Sequence, residues 1–398
     1  MQNNQKIPEG WTVKKLGDIV DTFSGGTPLA GEASYYDNGS IPFIRSGEIY
    51  QDFTELFITE KGLQESSAKM INRGDLLFAL YGATSGEIAI SQIEGAINQA
   101  ILCIRPKEDN VHYLKNSFIL LKDRILHKYL QGGQGNLSAE IVKSLKLLFP
   151  PLAEQEKIAG ILETWDEAIE KLSSLIEQKK NLKKGLMQRL LTGKTRLNGF
   201  TQPWKEVKLG EVLFEHSQKS CENEAVCSVS VHKGVVNQVE HLGRSFSAAN
   251  TSNYNLVHYG DVIYTKSPTG DFPYGIFKQS QQKSNVIVSP LYGVFTPKSY
   301  ALGYILDSYF SYPVNMNNYL KPIIQKGAKN TINITNKTFL SKSLCLPTNI
   351  AEQKAIADVL STADEEINLL NKKLEALKEQ KKGLMQQLLT GQTRVKVN

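Results

Sequence analysis

Residues 185–197 read Gly185-Leu-Met-Gln-Arg-Leu-Leu-Thr-Gly-Lys-Thr-Arg-Leu197, and residues 383–394 read Gly383-Leu-Met-Gln-Gln-Leu-Leu-Thr-Gly-Gln-Thr-Arg394. The first copy contains Gly193-Lys194-Thr195, the ending of a phosphate-binding loop, but the second has Gly391-Gln392-Thr393 and lacks the lysine. A phosphate loop also needs a glycine five residues before Gly193, where Gln188 stands, and a strand rather than a helix in front of it. Thr-Gly after an apolar periodic run is instead a helix C-terminus, with Gly193 and Gly391 free to take the left-handed capping conformation.

Outward from this pair the repeat extends without a gap. Residues 153–172, AEQEKIAGILETWDEAIEKL, match residues 351–370, AEQKAIADVLSTADEEINLL, so that Glu154 corresponds to Glu352 and Gly185 to Gly383. A shorter match opens each half: Trp11-Thr-Val-Lys-Lys-Leu-Gly-Asp18 and Trp204-Lys-Glu-Val-Lys-Leu-Gly-Glu211. Asn136-Leu-Ser138 and Asn333-Ile-Thr335 stand at equal distances before Pro150 and Pro347. Between these anchors the halves diverge. A framework is duplicated around individual contents.

In the second copy Ile356, Leu360, Ala363, Ile367, Leu370, Leu374, Leu377, Lys381, Leu384 and Leu388 alternate steps of four and three, a heptad seam. The first copy follows with Ile158, Leu162, Trp165, Ile169, Leu172, Ile176, Lys179, Lys183, Leu186 and Leu190. Prolines at 150, 151 and 347 precede the helices, each of which would run ~58 Å over ~39 residues and needs a partner. The first helix begins with Glu154, Glu156, Glu163, Asp166, Glu167 and Glu170 and turns basic at Lys179, Lys180, Lys183, Lys184 and Arg189; the second repeats that polarity. Antiparallel packing sets each acidic half against a basic half and complements both dipoles. The expected fold is therefore mixed α/β (α+β), two variable domains joined by an antiparallel two-helix coiled coil with pseudo-two-fold symmetry. A charged, solvated face with unrelated partners is the other reading.

The variable regions carry strand signals, such as Ile41-Pro-Phe-Ile-Arg-Ser46, Gly74-Asp-Leu-Leu-Phe-Ala-Leu-Tyr81, Ala100-Ile-Leu-Cys-Ile-Arg105 and Gly260-Asp-Val-Ile-Tyr-Thr265, with helical stretches near 111–130 and 301–320. The expected division is 1–149 and 194–346 for the variable domains, with helices over 150–193 and 347–391. Polar glycine loops such as Gln131-Gly-Gly-Gln-Gly-Asn136 and Gln325-Lys-Gly-Ala-Lys-Asn330 precede turns into helix, where backbone N–H groups suit phosphate oxygens.

The 398 residues hold 41% hydrophobic and 22% charged residues, ordinary for globular domains, and a net charge of +6 that mildly favours a polyanionic partner. No run approaches the ~20 apolar residues of a membrane span, and the polar start MQNNQKIPEGW does not suit a signal peptide, so a cytoplasmic protein is expected. Cys103, Cys221, Cys227 and Cys345 read as free thiols, because the one close pair has the wrong spacing for a zinc knuckle. The six histidines (112, 127, 216, 232, 241 and 258) show no metal spacing, and neither a metal nor a cofactor is expected. Ser289-Pro-Leu-Tyr292 is only faintly like an amino-methyltransferase base-holding motif, and Glu177-Gln-Lys179 and Glu379-Gln-Lys381, like the end of a nuclease motif, fall inside the helices without a paired aspartate. No catalytic constellation emerges.

Ser24-Gly-Gly-Thr-Pro28 followed by Ile41-Pro-Phe-Ile-Arg45, Gly74-Asp-Leu-Leu with Tyr81-Gly-Ala-Thr84, Asn98-Gln99, Pro150-Pro-Leu-Ala-Glu-Gln155 and Gly185-Leu-Met-Gln-Arg-Leu-Leu-Thr-Gly193 come in this order, the last two echoed in the second half. In that order and duplication the chain resembles the specificity subunit of Type I restriction-modification systems. The resemblance implies two target-recognition domains, each reading half of a split double-stranded DNA site, with helices as a ruler. It also implies two modification (methyltransferase) subunits and motor-nuclease restriction subunits as partners that carry the chemistry. The second region departs from the pattern, lacking Gly-Gly-Thr-Pro and having Ser289-Pro-Leu near the place of Asn-Gln. A stand-alone restriction-modification enzyme and a coiled-coil scaffold that does not touch DNA are the competing readings.

Base reading calls for arginine, amide and hydroxyl groups on groove-facing loops, with lysines on phosphates. The candidates are Arg45, Ser46, Tyr81, Thr84, Ser85, Gln134 and Asn136 in the first region, and His232, Lys233, Lys266, Ser267, Thr269, Lys326 and Lys329 in the second. Helix packing is assigned to Ile158, Leu162, Trp165, Ile169, Leu172, Ile356, Leu360, Ile367, Leu370 and Leu374.

Overall fold

The structure, a computed structural model, describes residues 7–129, 136–221, 224–243, 250–326 and 332–397. It falls into two compact units, Met1–Ser173 with Lys372–Asn398, and Ser174–Asn371. Two long helices, Leu152–Leu190 and Ile350–Leu389, contribute to both units.

In the first unit the strands are β1 (Thr12–Lys15), β2 (Val20–Ser24), β3 (Ile41–Ile44), β4 (Phe57–Ile58), β5 (Lys69–Ile71), β6 (Leu76–Ala79), β7 (Ile88–Ile90), β8 (Gly95–Ile97), β9 (Ile101–Pro106) and β10 (Lys146–Phe149). They form sheets of order β2-β9-β6-β7 and β4-β3-β8-β5, and the ribbon β1-β10. Strand β6 explains why its sequence is an unbroken apolar run. Its residues alternate between faces, and both faces are covered. Leu76 and Phe78 pack with Tyr113, Leu114 and Phe118 of the helix Val111–Tyr129. Leu77 and Ala79 pack with Ile44, Ile71 and Ile97 of the second sheet.

The second unit holds β11 (Lys205–Lys208), β12 (Leu213–Glu215), β13 (Ala225–Ser230), β14 (Gly234–Asn237), β15 (Asn255–Val257), β16 (Val262–Tyr264), β17 (Phe277–Gln279), β18 (Val286–Val288), β19 (Gly293–Pro297), β20 (Gln325–Lys326), β21 (Ile332–Asn333) and β22 (Ser343–Leu346). Its sheets run β12-β19-β16-β17 and β14-β13-β18-β15, with ribbons β11-β22 and β20-β21. The two four-stranded sheets repeat those of the first unit strand for strand, down to one parallel pair in each (β3 with β8, and β13 with β18), while β20-β21 has no counterpart among the described residues of the first unit. Val262 and Tyr264 face Leu302, Leu306 and Phe310 of the helix Tyr300–Phe310, while Ile263 faces Val257, Val286 and Val288. The regions whose sequences diverge share one topology.

Each long helix ends as its Thr-Gly predicts. Gly193 has φ +67° and Gly391 φ +71°, and the Thr195 and Thr393 N–H groups turn back to the Arg189 and Gln387 carbonyls. At the other end of the second long helix Asn349 Oδ1 accepts from the Ala351 and Glu352 N–H groups, satisfying donors no helical carbonyl reaches.

The assigned packing residues divide by position. Ile158 and Leu162 are buried in the first unit with Met385, Leu388 and Leu389, and Ile356 and Leu360 are buried in the second with Met187, Leu190 and Leu191. Leu172 and Leu374 are buried, whereas Trp165, Ile169, Ile367 and Leu370 are half-buried. Within the first unit Lys381 Nζ bonds Asp166; within the second, Lys183 bonds Asp364 and Lys179 reaches Glu366 at 2.6 Å.

Candidate nucleic-acid interface

Three segments of the first unit meet at the end of β2. Gly25 donates its N–H to the Asn98 carbonyl, and a Cβ there would lie 1.7 Å from the Ile97 carbonyl oxygen, so only glycine fits. Thr27 Oγ1 donates to Gln99 Oε1 at 2.8 Å. Burial raises the Tyr81 phenol, against a partly opposing hydrogen bond with the Gln99 side chain. Ser24–Pro28, Tyr81 and Asn98-Gln99, far apart in sequence, thus form one cluster. Thr27 and Gln99 sit in the Ser24–Pro28 and Asn98-Gln99 motifs but are not among the base-reading candidates.

The candidates fall on loops around this cluster, in different states. Arg45 is exposed just beyond β3, but its guanidinium is held by Glu48 (2.6 and 3.1 Å) and Glu55 (2.7 Å). Burial alone would raise the Glu48 carboxyl; the bonds from Arg45, the Glu55 N–H and Thr54 outweigh it and bring it down to about 2. Ser46 is half-buried beside it. Thr84 and Ser85 lie in the β6–β7 hairpin loop, where Ser85 Oγ is committed to the Leu80 carbonyl at 3.0 Å. Asn136 is exposed, and the Leu137 N–H to Leu80 carbonyl bond of 2.9 Å sets it next to Tyr81. Gln134 lies outside the described residues. Tyr50 links the first two loops, its hydroxyl bonding Glu87 at 2.5 Å and accepting from the Ile88 N–H.

The second unit puts its candidates on the corresponding loops. His232 and Lys233 are exposed on the turn after β13, the counterpart of β3. Lys266, Ser267 and Thr269 lie in the β16–β17 loop, the counterpart of the Tyr81–Ser85 loop. Lys266 has φ +60°, a left-handed conformation unusual for a lysine, and a Cβ on Gly275 would meet its backbone N at 2.7 Å. Burial lowers the Lys266 amine, partly offset by Glu215. Ser267 and Thr269 are exposed. Lys326 lies on β20, and Lys329 lies outside the described residues. Ser289 follows β18 as Asn98 follows β8: Asn98 Oδ1 accepts from the Ala100 N–H and Ser289 Oγ from the Leu291 N–H, the same local turn from different residues.

A clasp recurs once per unit. Glu154, almost fully buried, accepts from Arg394 Nε and Nη2 (2.7 and 2.8 Å) and from Trp11 Nε1 (3.1 Å). Glu352 accepts from Arg196 (2.6 and 2.7 Å) and Trp204 Nε1 (3.2 Å). Burial alone would raise the Glu154 carboxyl, but the bonds from Arg394 and Trp11 leave it below its ordinary value. Each glutamate takes the arginine that closes the other copy of the repeat. The repeat displays the shared letters but not this exchange.

Histidines without a metal spacing in the sequence are also gathered by the fold: His216, His258 and Asp261 offer ligand atoms within 4.8 Å of one another. The four cysteines are free thiols, and among the described residues no helix is long and apolar enough to cross a membrane.

Two units that share the topology of their four-stranded sheets, each with a Trp–Glu–Arg clasp and its own set of polar loops, define a duplicated framework. The family model of the Type I restriction modification DNA specificity domain matches residues 8–180 and 201–379, and the chain belongs to that family. It is 28% identical to the MjaVIII specificity subunit of Methanocaldococcus jannaschii, over 98% of this chain and 95% of that one. The EcoR124I/EcoR124II specificity subunit of Escherichia coli is 27% identical over 38% of this chain and 40% of its own length. Among solved structures, the S subunit of a Type I system from M. genitalium has a TM-score of 0.61 at 14% identity, covering 98% of each chain. A structure described as underlying complex assembly and conformational transition of the type I R-M system has a TM-score of 0.56 at 17% identity, covering 98% of this chain and all of that one. The chain is thus the DNA-recognition component of such a system and not its catalytic part.

Proposed function

We propose that each unit reads one half of a bipartite DNA site, and that the two long helices pack as an antiparallel coiled coil whose length sets the gap between half-sites. The observation that carries this is the repeated topology with different loops: β3/β13 exits and β6–β7/β16–β17 hairpins recur in both units with different side chains. The pairs Asp166–Lys381 and Lys183–Asp364, which run in opposite senses along the helices, support the antiparallel assignment. In this reading residues 1–149 and 194–346 are the recognition domains and 150–193 and 347–391 the spacer. The candidate loop residues named above touch DNA, Arg45 by exchanging Glu55 for a base edge or phosphate. Two modification subunits and the motor-nuclease subunits supply methyl transfer and cleavage, in the cytoplasm.

The test is to co-express the chain with its modification subunit and sequence the host methylome, where a split motif is expected. Inserting four residues into each long helix adds about 6 Å, close to two base pairs of rise. The half-sites should persist with a changed gap. An unchanged gap with altered half-sites refutes the ruler, and a continuous motif refutes the bipartite reading.

A further inference from the structure

The two units share a turn that each completes differently. In the first, Gly74 (φ +95°) precedes Asp75, whose Oδ2 accepts from the Asn72 N–H; in the second, Gly260 (φ +86°) precedes Asp261, whose Oδ2 accepts from the His258 N–H. Both aspartates enter the middle of a sheet and are largely buried. A buried carboxylate needs a compensating cation. Asp75 has one: Arg105 on β9 donates from Nε and Nη2 at 2.8 and 2.6 Å and lies over the Phe23 ring.

The strand registers show what replaces that cation. Leu76 pairs with Ile104 and Val262 with Phe295, so Thr296 holds the place of Arg105. Asp21 pairs with Arg105 and Phe214 with Thr296, so His216 holds the place of Phe23. Thr296 Oγ1 donates to Asp261 Oδ1 at 2.7 Å but brings no charge. Two imidazoles turn to the other oxygen instead, His216 Nε2 and His258 Nδ1, each 3.0 Å from Oδ2.

We propose that His216, His258 and Asp261 form a binding site for a divalent transition-metal ion of the zinc or cobalt type, which takes the place of the guanidinium found in the first unit. Two nitrogens and one carboxylate oxygen are the ligand set such ions favour, and adjacent ligands on a tetrahedral ion stand about 3.3 Å apart at ordinary bond lengths. The two nitrogen–oxygen spacings of 3.0 Å need only slight opening, and the three ligand atoms lie within 4.8 Å of one another. The carboxylate is already oriented by the Thr296 hydroxyl and the His258 N–H, the outer-shell support that ligating carboxylates require. Coordination uses neutral imidazoles, with the His216 proton on Nδ1 and the His258 proton on Nε2. His216 Nδ1 is buried and has no hydrogen-bond partner among the described residues, so affinity falls below that of a closed four-ligand site. The ion fastens the end of β12 to the β15–β16 turn, within the sheet that carries the Lys266 loop.

The full-length chain, stripped with chelator, is titrated with Co2+ and separately with Zn2+, read by calorimetry, visible absorption and thermal melting. A single equivalent is expected, with cobalt d–d bands and a raised melting temperature. His216→Ala and His258→Ala should abolish binding, Thr296→Val should weaken it about 10–100-fold, and His112→Ala should leave it unchanged. Thr296→Arg, which rebuilds the arrangement of the first unit at an exposed position, should abolish binding while keeping the fold. Circular dichroism on every variant separates loss of ligand from loss of structure. Absence of saturable binding to the wild type overturns the site, as does binding that survives both histidine substitutions in folded protein. Metal-free wild type with a stabilised Thr296→Arg variant also overturns it.

Discussion

Arg394→Ala removes the cation from a glutamate that remains buried. Glu154 has a side chain 4% exposed, whereas Arg394 is 43% exposed. Breaking a fully buried ion pair costs about 3–5 kcal/mol, while exposed pairs contribute less than about 1 kcal/mol. With one partner buried and the other half in water, and with the Trp11 N–H still in place, the loss should be about 2–3 kcal/mol. For a unit of this size that lowers the melting temperature by about 4–12 °C. The acid side of the stability profile changes too. In the wild type the Glu154 carboxyl lies below its ordinary value, so its contribution is present above about pH 4.3, the unfolded value, and is lost as pH falls through the lower folded one. Arg394→Ala should flatten that dependence. Calorimetry from about pH 3 to pH 7 on wild type, Arg394→Ala, Glu154→Gln and Glu154→Gln/Arg394→Met measures both effects, and the cycle isolates the pair. The double variant should be more stable than Arg394→Ala, because no uncompensated charge stays buried. Strict additivity, or a loss below about 0.5 kcal/mol in Arg394→Ala, would refute the clasp as an energetic unit.

Other substitutions test separate parts. Gly193→Ala forces a side chain into φ +67° against the Trp204 ring, with an expected loss of about 1–2 kcal/mol by denaturant unfolding, whereas Gly31→Ala, with nothing near its added methyl group, should be close to neutral. Leu162→Ala, fully buried in the first unit, should cost about 2–5 kcal/mol, clearly more than the exposed Leu182→Ala. Lys233→Ala should weaken binding to all duplexes alike and reduce the salt slope by about one if it meets a phosphate; binding assayed across several salt concentrations would show an unchanged slope if it does not. Gln99→Ala should leave the melting temperature nearly unchanged and alter the methylated half-site read by the first unit; a global loss of stability would make it a structural residue instead.

The helices and their ends were legible in the sequence because they are built from local rules: apolar spacing of three and four, proline before the start, and glycine where a left-handed cap is needed. Comparing Gly193-Lys194-Thr195 with Gly391-Gln392-Thr393 was enough to set aside a phosphate loop. The duplication, too, stood in the letters at both anchors. Between the anchors it did not. Strands such as Leu76–Ala79 and Val262–Tyr264 share only burial on both faces, and many apolar sequences satisfy that, so equal topology leaves few matching residues beyond the Gly-Asp turn before each. The candidate loops were legible one by one, but not their charge state. Arg45 reads as a free cation until Glu48 and Glu55 are seen to hold it, and Thr27 gains a role only when Gln99 comes across to meet it. What tertiary structure alone decided are contacts between distant positions: Arg394 with Glu154, Arg196 with Glu352, and Asp261 with two histidines where Asp75 has an arginine. A buried carboxylate demands a partner, but sequence spacing carries no information on which strand will bring it.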